Sequence, residues 1–273
     1  MTKTEMAVLQ WGGYAKPLCI LAWAVTVLGT LGGLWRMQWH LVWYTIATLI
    51  TLGLFQKWLA AVRERYLRQA TLPRHLQGKL RAAYQHLSPK DCDLIEHGLR
   101  QFFMACLRHP RQFVAMPSQV VDVLWHEFIL HTKAYKQWCH LGLGHFLHHT
   151  PAEALGKKSH HNDGLRRAWF WACKDESIDP KNPSRLPLLF ALDAKFAIAN
   201  GFHYTPDCRL LGTGQTAAAN NAAGGDAGGT PYCGTHFSDA SYSGSSADFG
   251  GADSSDGGGG DAGGCGGGCG GGD

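Results

Sequence analysis

The chain lacks the sequence signatures of several large protein classes. Its nine cysteines include no CxxC pair, and their odd number argues against a framework of paired disulfides. The HExxH, P-loop, GxSxG and dinucleotide-binding glycine motifs are all missing from the sequence. Any chemistry must therefore come from a less familiar arrangement of side chains.

Positive charge is missing from the last quarter of the chain. All 25 Lys and Arg residues lie at or before Arg209, whereas 22 of the 35 glycines lie from Gly212 onward. This segment has too little apolar surface to offset the entropy of ordering its backbone. We therefore predict a disordered tail, rich in Gly, Asp and Ser, over residues 211–273.

Two cysteines, Cys265 and Cys269, lie near the end of this tail in the stretch GGCGGGCGGGD. A flexible backbone lets both thiols reach one soft metal ion or another sulfur atom. Two thiolates alone make a weak metal site. Incidental cysteines in a low-complexity repeat are an equally good interpretation.

Two apolar runs near the start, at about residues 17–35 and 39–56, are long enough to cross a membrane. The first is uncharged and would span about 28 Å as a helix, close to the thickness of the bilayer hydrocarbon. Five Lys and Arg residues lie between positions 57 and 74, after the second run, whereas the short segment between the two runs contains only Arg36. By the positive-inside rule, the pattern predicts a multi-pass protein of the cell (inner) membrane with both termini in the cytoplasm.

The folded part that follows is predicted to be helical. Ser88 and Pro89 are typical of a helix start, and that helix should end before Pro110. A second long helix should open at residues 117–118 and continue to about Cys139. The predicted fold class is all-α, with a transmembrane hairpin (1–60), a basic amphipathic linker (61–79), an all-helical His-rich domain (80–210) and the tail (211–273).

A histidine-rich stretch at positions 120–151 holds six of the 15 histidines. Its HEFILH segment is not a zinc-protease motif, because His126 and His131 are five residues apart and would diverge by about 140° on one helix. The pairs with one-turn spacing are Asp122 with His126 and Glu127 with His131. Each carboxylate could orient a metal-binding imidazole or form an ordinary surface hydrogen bond.

A metal site built from this stretch would use imidazoles of two segments, with the Cys139 thiol as a further candidate ligand, and zinc is the metal that suits such donors. Histidines at helix ends also occur without any metal, because they meet exposed carbonyl groups there. No other cofactor is predicted. The candidate ligands are His126, His131, Cys139, His145, His148 and His149, with Asp122 and Glu127 orienting them.

The same stretch resembles the core motif of the glycine-rich domain-containing protein family, in which V-D-x-x-W-H is followed by Tyr and Cys. The matching residues are Val121-Asp122, Trp125-His126, Tyr135, Cys139 and Gly144-His145-Phe146. The likeness is best over 116–151, and Phe128 stands where plant members carry a second His. It implies a helical, bacterial-type member with a glycine-rich end and no established catalytic activity.

Two classes of function are compatible with these patterns. The favoured one is a membrane-anchored helical scaffold or interaction module, without enzymatic activity, whose partners are the lipid bilayer and another protein. The alternative is a membrane-tethered metal-binding protein or metallohydrolase that uses the histidines of residues 122–161. Nothing in the sequence indicates nucleic-acid binding.

Overall fold

The computed structural model of the chain describes residues 1–32, 39–110, 112–149, 158–206 and 232–233. These residues are mostly helical, which confirms the predicted helical class in its coarse form. The predicted tail thiols Cys265 and Cys269 lie outside the described residues. The helices after the first three are α4 (His75–Ala83), α5 (Pro89–Arg108), α6 (Gln119–Leu130), α7 (Thr132–Gly142), α8 (Lys158–Asp175) and α9 (Leu188–Lys195).

The first helices are α1 (Lys3–Trp11), a 3-10 turn (Gly12–Tyr14), α2 (Ala15–Leu31) and α3 (His40–Gln69). Two helical stretches, Lys3–Leu31 and His40–Gln69, are long and apolar enough to cross a membrane. Only 6% and 11% of their most apolar parts are buried inside the protein. Helices in the core of a soluble protein are mostly buried, so these two differ from ordinary core helices.

Helix α3 runs without interruption from its apolar part into the folded domain. Residues 61–69, placed by the sequence in the linker, form its last turns. Leu67 is fully buried in the main core, together with Leu72 and Leu76 that follow. The Arg100 side chain donates to carbonyl oxygens at the end of α3, with 2.5 Å to the Ala70 oxygen. The apolar helix and the domain are therefore joined by packing and by hydrogen bonds.

Helix α5 lies at the centre of the domain and contacts α6, α8 and α9. It begins where the sequence predicts, because Ser88 and Asp91 form a capping box and Pro89 occupies the first turn. It ends at Arg108, before Pro110. At Gly98 an added Cβ would lie 2.5 Å from the Leu192 Cδ1 atom, so glycine permits the close approach of α9.

The predicted single helix from 118 to about 139 is wrong, because the chain breaks at His131 into α6 and α7. His131 has φ −85° and ψ 62°, and its N–H donates to the Phe128 carbonyl instead of continuing the helix. The break has no Gly or Pro signal. It lets α7 fold back so that the Tyr135 ring packs edge-on against Phe128 in the core.

A buried carboxylate fastens α9 to the start of α6. Asp193 is only 2% exposed and accepts hydrogen bonds from the Ser118 hydroxyl (2.7 Å) and from the backbone N–H groups of Gln119 (2.7 Å) and Val120 (3.1 Å). It also accepts from the Phe202 N–H at 2.9 Å. The unpaired N–H groups at the start of α6 are thus satisfied by a residue about 75 positions away.

A short parallel pairing joins strand β1 (Tyr204–Thr205) to strand β2 (Tyr232–Cys233). The Tyr204 ring packs against Phe190 of α9, with ring centroids 4.9 Å apart. Tyr232 and Cys233 belong to the tail (211–273) that was predicted to be disordered, and all its other residues lie outside the described ones. Backbone pairing requires no apolar surface on β2, so composition did not reveal it.

Candidate metal centre

Two residues of the candidate centre lie one turn apart on α6. The spacing of four residues places Asp122 and His126 on the same helical face. The His126 Nδ1 atom lies 3.3 Å from the Asp122 Oδ2 atom and 3.0 Å from the Asp122 backbone oxygen. Half of the His126 side chain is exposed, so the pair faces the surface.

The third residue, His149, comes from the segment that follows α7. The chain turns after α7 at Gly144, whose φ of +80° favours glycine. The His149 Nε2 atom then lies 3.3 Å from the Asp122 Oδ1 atom, and its ring centroid lies 4.2 Å from that of His126. One carboxylate therefore stands between two imidazoles from separate parts of the chain.

The three side chains lie close enough together to be candidate ligands of one divalent metal ion. Their ligand atoms all lie within 4.8 Å of one another. With metal–ligand distances of about 2.0–2.1 Å, a tetrahedral site separates its ligands by about 3.3–3.4 Å. The two carboxylate–imidazole distances are 3.3 Å each, but they end on different carboxylate oxygens, Oδ2 for His126 and Oδ1 for His149. Two His and one carboxylate are ligands of catalytic zinc and non-haem iron sites, and they leave coordination positions open.

A buried chain of hydrogen bonds positions the segment that carries His149. The Tyr135 hydroxyl donates to the Leu147 carbonyl at 2.6 Å, and the Trp125 Nε1–H donates to the Tyr135 oxygen at 3.2 Å. Burial raises the pKa of Tyr135 well above its usual value, so the hydroxyl keeps its proton and remains a donor. The Trp125 ring also packs against His149, with centroids 4.8 Å apart.

A second Asp–His pair, on α5, shows that four-residue spacing alone brings an imidazole next to an aspartate on a helix. Asp93 and His97 have the same four-residue separation, and the His97 Nδ1 atom lies 2.7 Å from the Asp93 backbone oxygen. Within the described ranges, only the Asp122 pair has a third ligand atom nearby. The local pair is thus an ordinary helical feature, and His149 distinguishes the candidate centre from it.

Two of the other predicted ligands lie apart from this group. His131 packs against His75, with centroids 3.8 Å apart, and among the described residues it makes no ion pair with Glu127. Cys139 is fully buried. Burial raises the pKa of its thiol, which disfavours the thiolate that metals bind.

His145 and His148 lie beside the centre, on the wall of a cavity of about 260 Å³ that His149 also lines. Its inner surface combines apolar side chains, among them Phe102, Val114 and Trp125, with polar ones that include His109 and Gln112. The sequence did not reveal this cavity, because its walls come from the end of α5, the loop before α6, α6 itself and the segment after α7. A cavity with apolar and polar walls suits a small ligand that has both an apolar and a polar part.

The fold defines a mostly helical protein with two helices that are long and apolar enough to cross a membrane. The chain belongs to the UCP032817-like family, whose model matches residues 62–237. The expected membership of the glycine-rich domain-containing family is therefore wrong: a short motif and a glycine-rich end suggested it, and the family match over most of the chain overturns it. No curated protein and no solved structure compared with the chain matches it.

The matched region has informative limits. It begins at Val62, where α3 enters the domain, and it ends after β2. It includes Asp122, His126 and His149 and leaves out α1 and α2. The family model thus covers the helical domain, in which Asp122, His126 and His149 lie, and the short strand pairing.

Proposed function

We propose that the protein is a membrane-anchored metal-binding protein whose helical domain holds one divalent transition metal, with zinc as the first candidate. The convergence of Asp122, His126 and His149 from two separate segments carries this proposal. The donor set is complete without any thiol. If no metal binds, the protein is better explained as the scaffold or interaction module that the sequence favours.

The donor set also favours a class of reaction. A zinc ion with three protein ligands supplies a bound water whose pKa falls to about 7, the chemistry of hydrolytic zinc sites. In this chain Asp122 and the two imidazoles would hold the ion at the surface. The cavity beside His149 would take an apolar part of a substrate. We therefore assign metal-dependent hydrolysis as the activity to assay first.

Metal analysis of the full chain in detergent tests the proposal. The full chain is needed, because a fragment that starts at Gln77 would lack Leu67, Leu72 and Leu76 of the core. We expect stoichiometric zinc after equilibration with the ion. Replacing Asp122, His126 or His149 by Ala should lower zinc affinity by about 100-fold or more, since each supplies a ligand.

The matched control is His97→Ala, which removes an exposed imidazole beside Asp93 in the same helical spacing. This variant should keep the zinc affinity of the unaltered chain. A folded chain that binds no zinc, or a His97→Ala variant as weak as His149→Ala, would contradict the proposal. The domain would then be better described as a docking module.

Contacts of α1 support a hairpin arrangement in the membrane. Leu9 of α1 packs in a cluster with Leu59 and Val62 of α3 and Leu141 of α7. Glu5 pairs with Arg65 at 2.6 Å. Since α1 touches the domain, both lie on the same side of any bilayer that α2 and the apolar part of α3 cross. With the positive charge that follows the second run, we propose a multi-pass protein of the cell membrane with both ends cytoplasmic.

Reporter fusions test this topology. A reporter after Asp273 should remain cytoplasmic, whereas one inserted at Gln38, between the two helices, should be exported. The expected result is opposite readouts, because the two sites are separated by one crossing of the bilayer. An exported reporter after Asp273, or two equal readouts, would contradict the hairpin.

A further inference from the structure

One arginine of α3 differs from its neighbours in its pairing. Arg65 pairs with Glu5, and Arg68 pairs with Glu64 and Asp175. Arg63 is half-buried, yet it makes no ion pair or hydrogen bond among the described residues, and its Nε atom is buried without a partner. Partial burial of a cation is costly unless an anion or an acceptor compensates it. Because no described residue compensates this charge, an anion from outside the chain would stabilise the Arg63 side chain.

The position of Arg63 on α3 suggests where that partner lies. Trp58 is 43% exposed, and on the neighbouring helix Trp11 and Tyr14 are 69% and 56% exposed. Such exposed aromatic side chains typically mark the boundary between hydrocarbon and head groups. Arg63 lies five residues beyond Trp58, or about 7.5 Å further along the helix. If the hydrocarbon ends near Trp58, this distance would bring the guanidinium close to the level of the lipid phosphates.

The Arg63 side chain lies in a partly open site beside Gly144. An added Cβ at Gly144 would lie 2.3 Å from the Arg63 Nη2 atom, so the guanidinium rests directly against the glycine backbone. Gly144 itself is exposed, and the Arg63 Nη1 and Nη2 atoms, unlike Nε, are not among the buried atoms without a partner. Lys16 and Lys57, on the apolar helices, are also exposed and make no ion pair within the described ranges.

We propose that Arg63, seated between α3 and Gly144, binds the phosphate of an anionic phospholipid. A guanidinium can donate two parallel hydrogen bonds to phosphate oxygens, which gives a site with defined geometry and not only attraction to charge. Lys16 and Lys57, at the same end of the two apolar helices, add to the positive potential near this site. This lipid site shares the turn at Gly144 with the segment that carries His149, but it contains none of the three candidate metal ligands.

Native mass spectrometry of the full chain in detergent tests the site. The probes are phosphatidylglycerol, phosphatidylcholine and inorganic phosphate, each titrated separately. We expect the chain to retain phosphatidylglycerol about fivefold to tenfold more tightly than phosphatidylcholine. Arg63→Gln should abolish this preference, and Gly144→Ala should reduce it, because the new methyl group displaces the guanidinium.

Arg65→Gln is the matched control, since it removes one positive charge from the same helix but from an arginine already paired with Glu5. It should keep the lipid preference. The proposal is overturned if Arg63→Gln retains the preference or if Arg65→Gln loses it equally. Inorganic phosphate that binds as tightly as phosphatidylglycerol would also overturn it and would indicate a site for free phosphate.

Discussion

Replacing Asp193 by alanine is expected to lower the free energy of unfolding by about 4 kcal/mol. The carboxylate accepts four hydrogen bonds, three of them from backbone N–H groups, and it is almost fully buried. Its loss leaves the N–H groups of Gln119 and Val120 without an acceptor at the start of α6. It also frees the Phe202 N–H, so the segment before β1 loses its anchor.

Urea unfolding of the full chain in detergent, followed by tryptophan fluorescence, measures this effect. The control is Asp179→Ala, which removes an exposed carboxylate whose one hydrogen bond among the described residues comes from the nearby Lys181 N–H. That change should cost about 0.5 kcal/mol or less. Equal stability of the two variants would mean that Asp193 does not fasten α9 to α6.

Removal of the Tyr135 hydroxyl should affect both stability and metal binding. Tyr135→Phe keeps the packed ring but leaves the Trp125 N–H and the Leu147 carbonyl without their partner. We expect a loss of about 2 kcal/mol in unfolding free energy. Since Leu147 precedes His149 by two residues, zinc affinity should also fall by about 10-fold to 100-fold.

Tyr66→Phe supplies the comparison for this variant. Tyr66 is half-buried against Trp138, and its hydroxyl makes no hydrogen bond among the described residues. Zinc competition and urea unfolding should leave this variant close to the unaltered chain. If Tyr135→Phe binds zinc normally, the hydrogen-bond chain does not position His149. The urea measurement separately tests whether the Tyr135 hydroxyl stabilises the fold.

Local signals predicted the parts of the fold that local interactions determine. Both ends of α5 were predicted correctly, the start from Ser88 and Pro89 and the end from Pro110. Helix capping and proline geometry act within one turn, so a local sequence pattern reveals them. The break at His131 has no such signal. Tertiary packing of Tyr135 against Phe128 accompanies it, and a sequence pattern does not contain that information.

Only part of the candidate centre was likewise predictable from local sequence. The one-turn spacing of Asp122 and His126 was visible in the sequence, and the structure places them in contact. The arrival of His149 was not predictable, because it depends on the turn at Gly144 and on hydrogen bonds to Leu147. Residues 146–149 are not helical, so His148 packs against Phe146 while His149 reaches Asp122.

The continuity of α3 has a mechanical consequence. The helix contains 30 residues and is about 45 Å long, and its last turns are fixed in the core by Leu67 and Arg100. In a bilayer, a change of about 10° in the tilt of this helix would displace its far end by about 8 Å. Without a flexible tether at this junction, the domain must follow as one body. Bilayer thickness, which influences tilt, would then set the orientation in which the domain is presented to the aqueous phase.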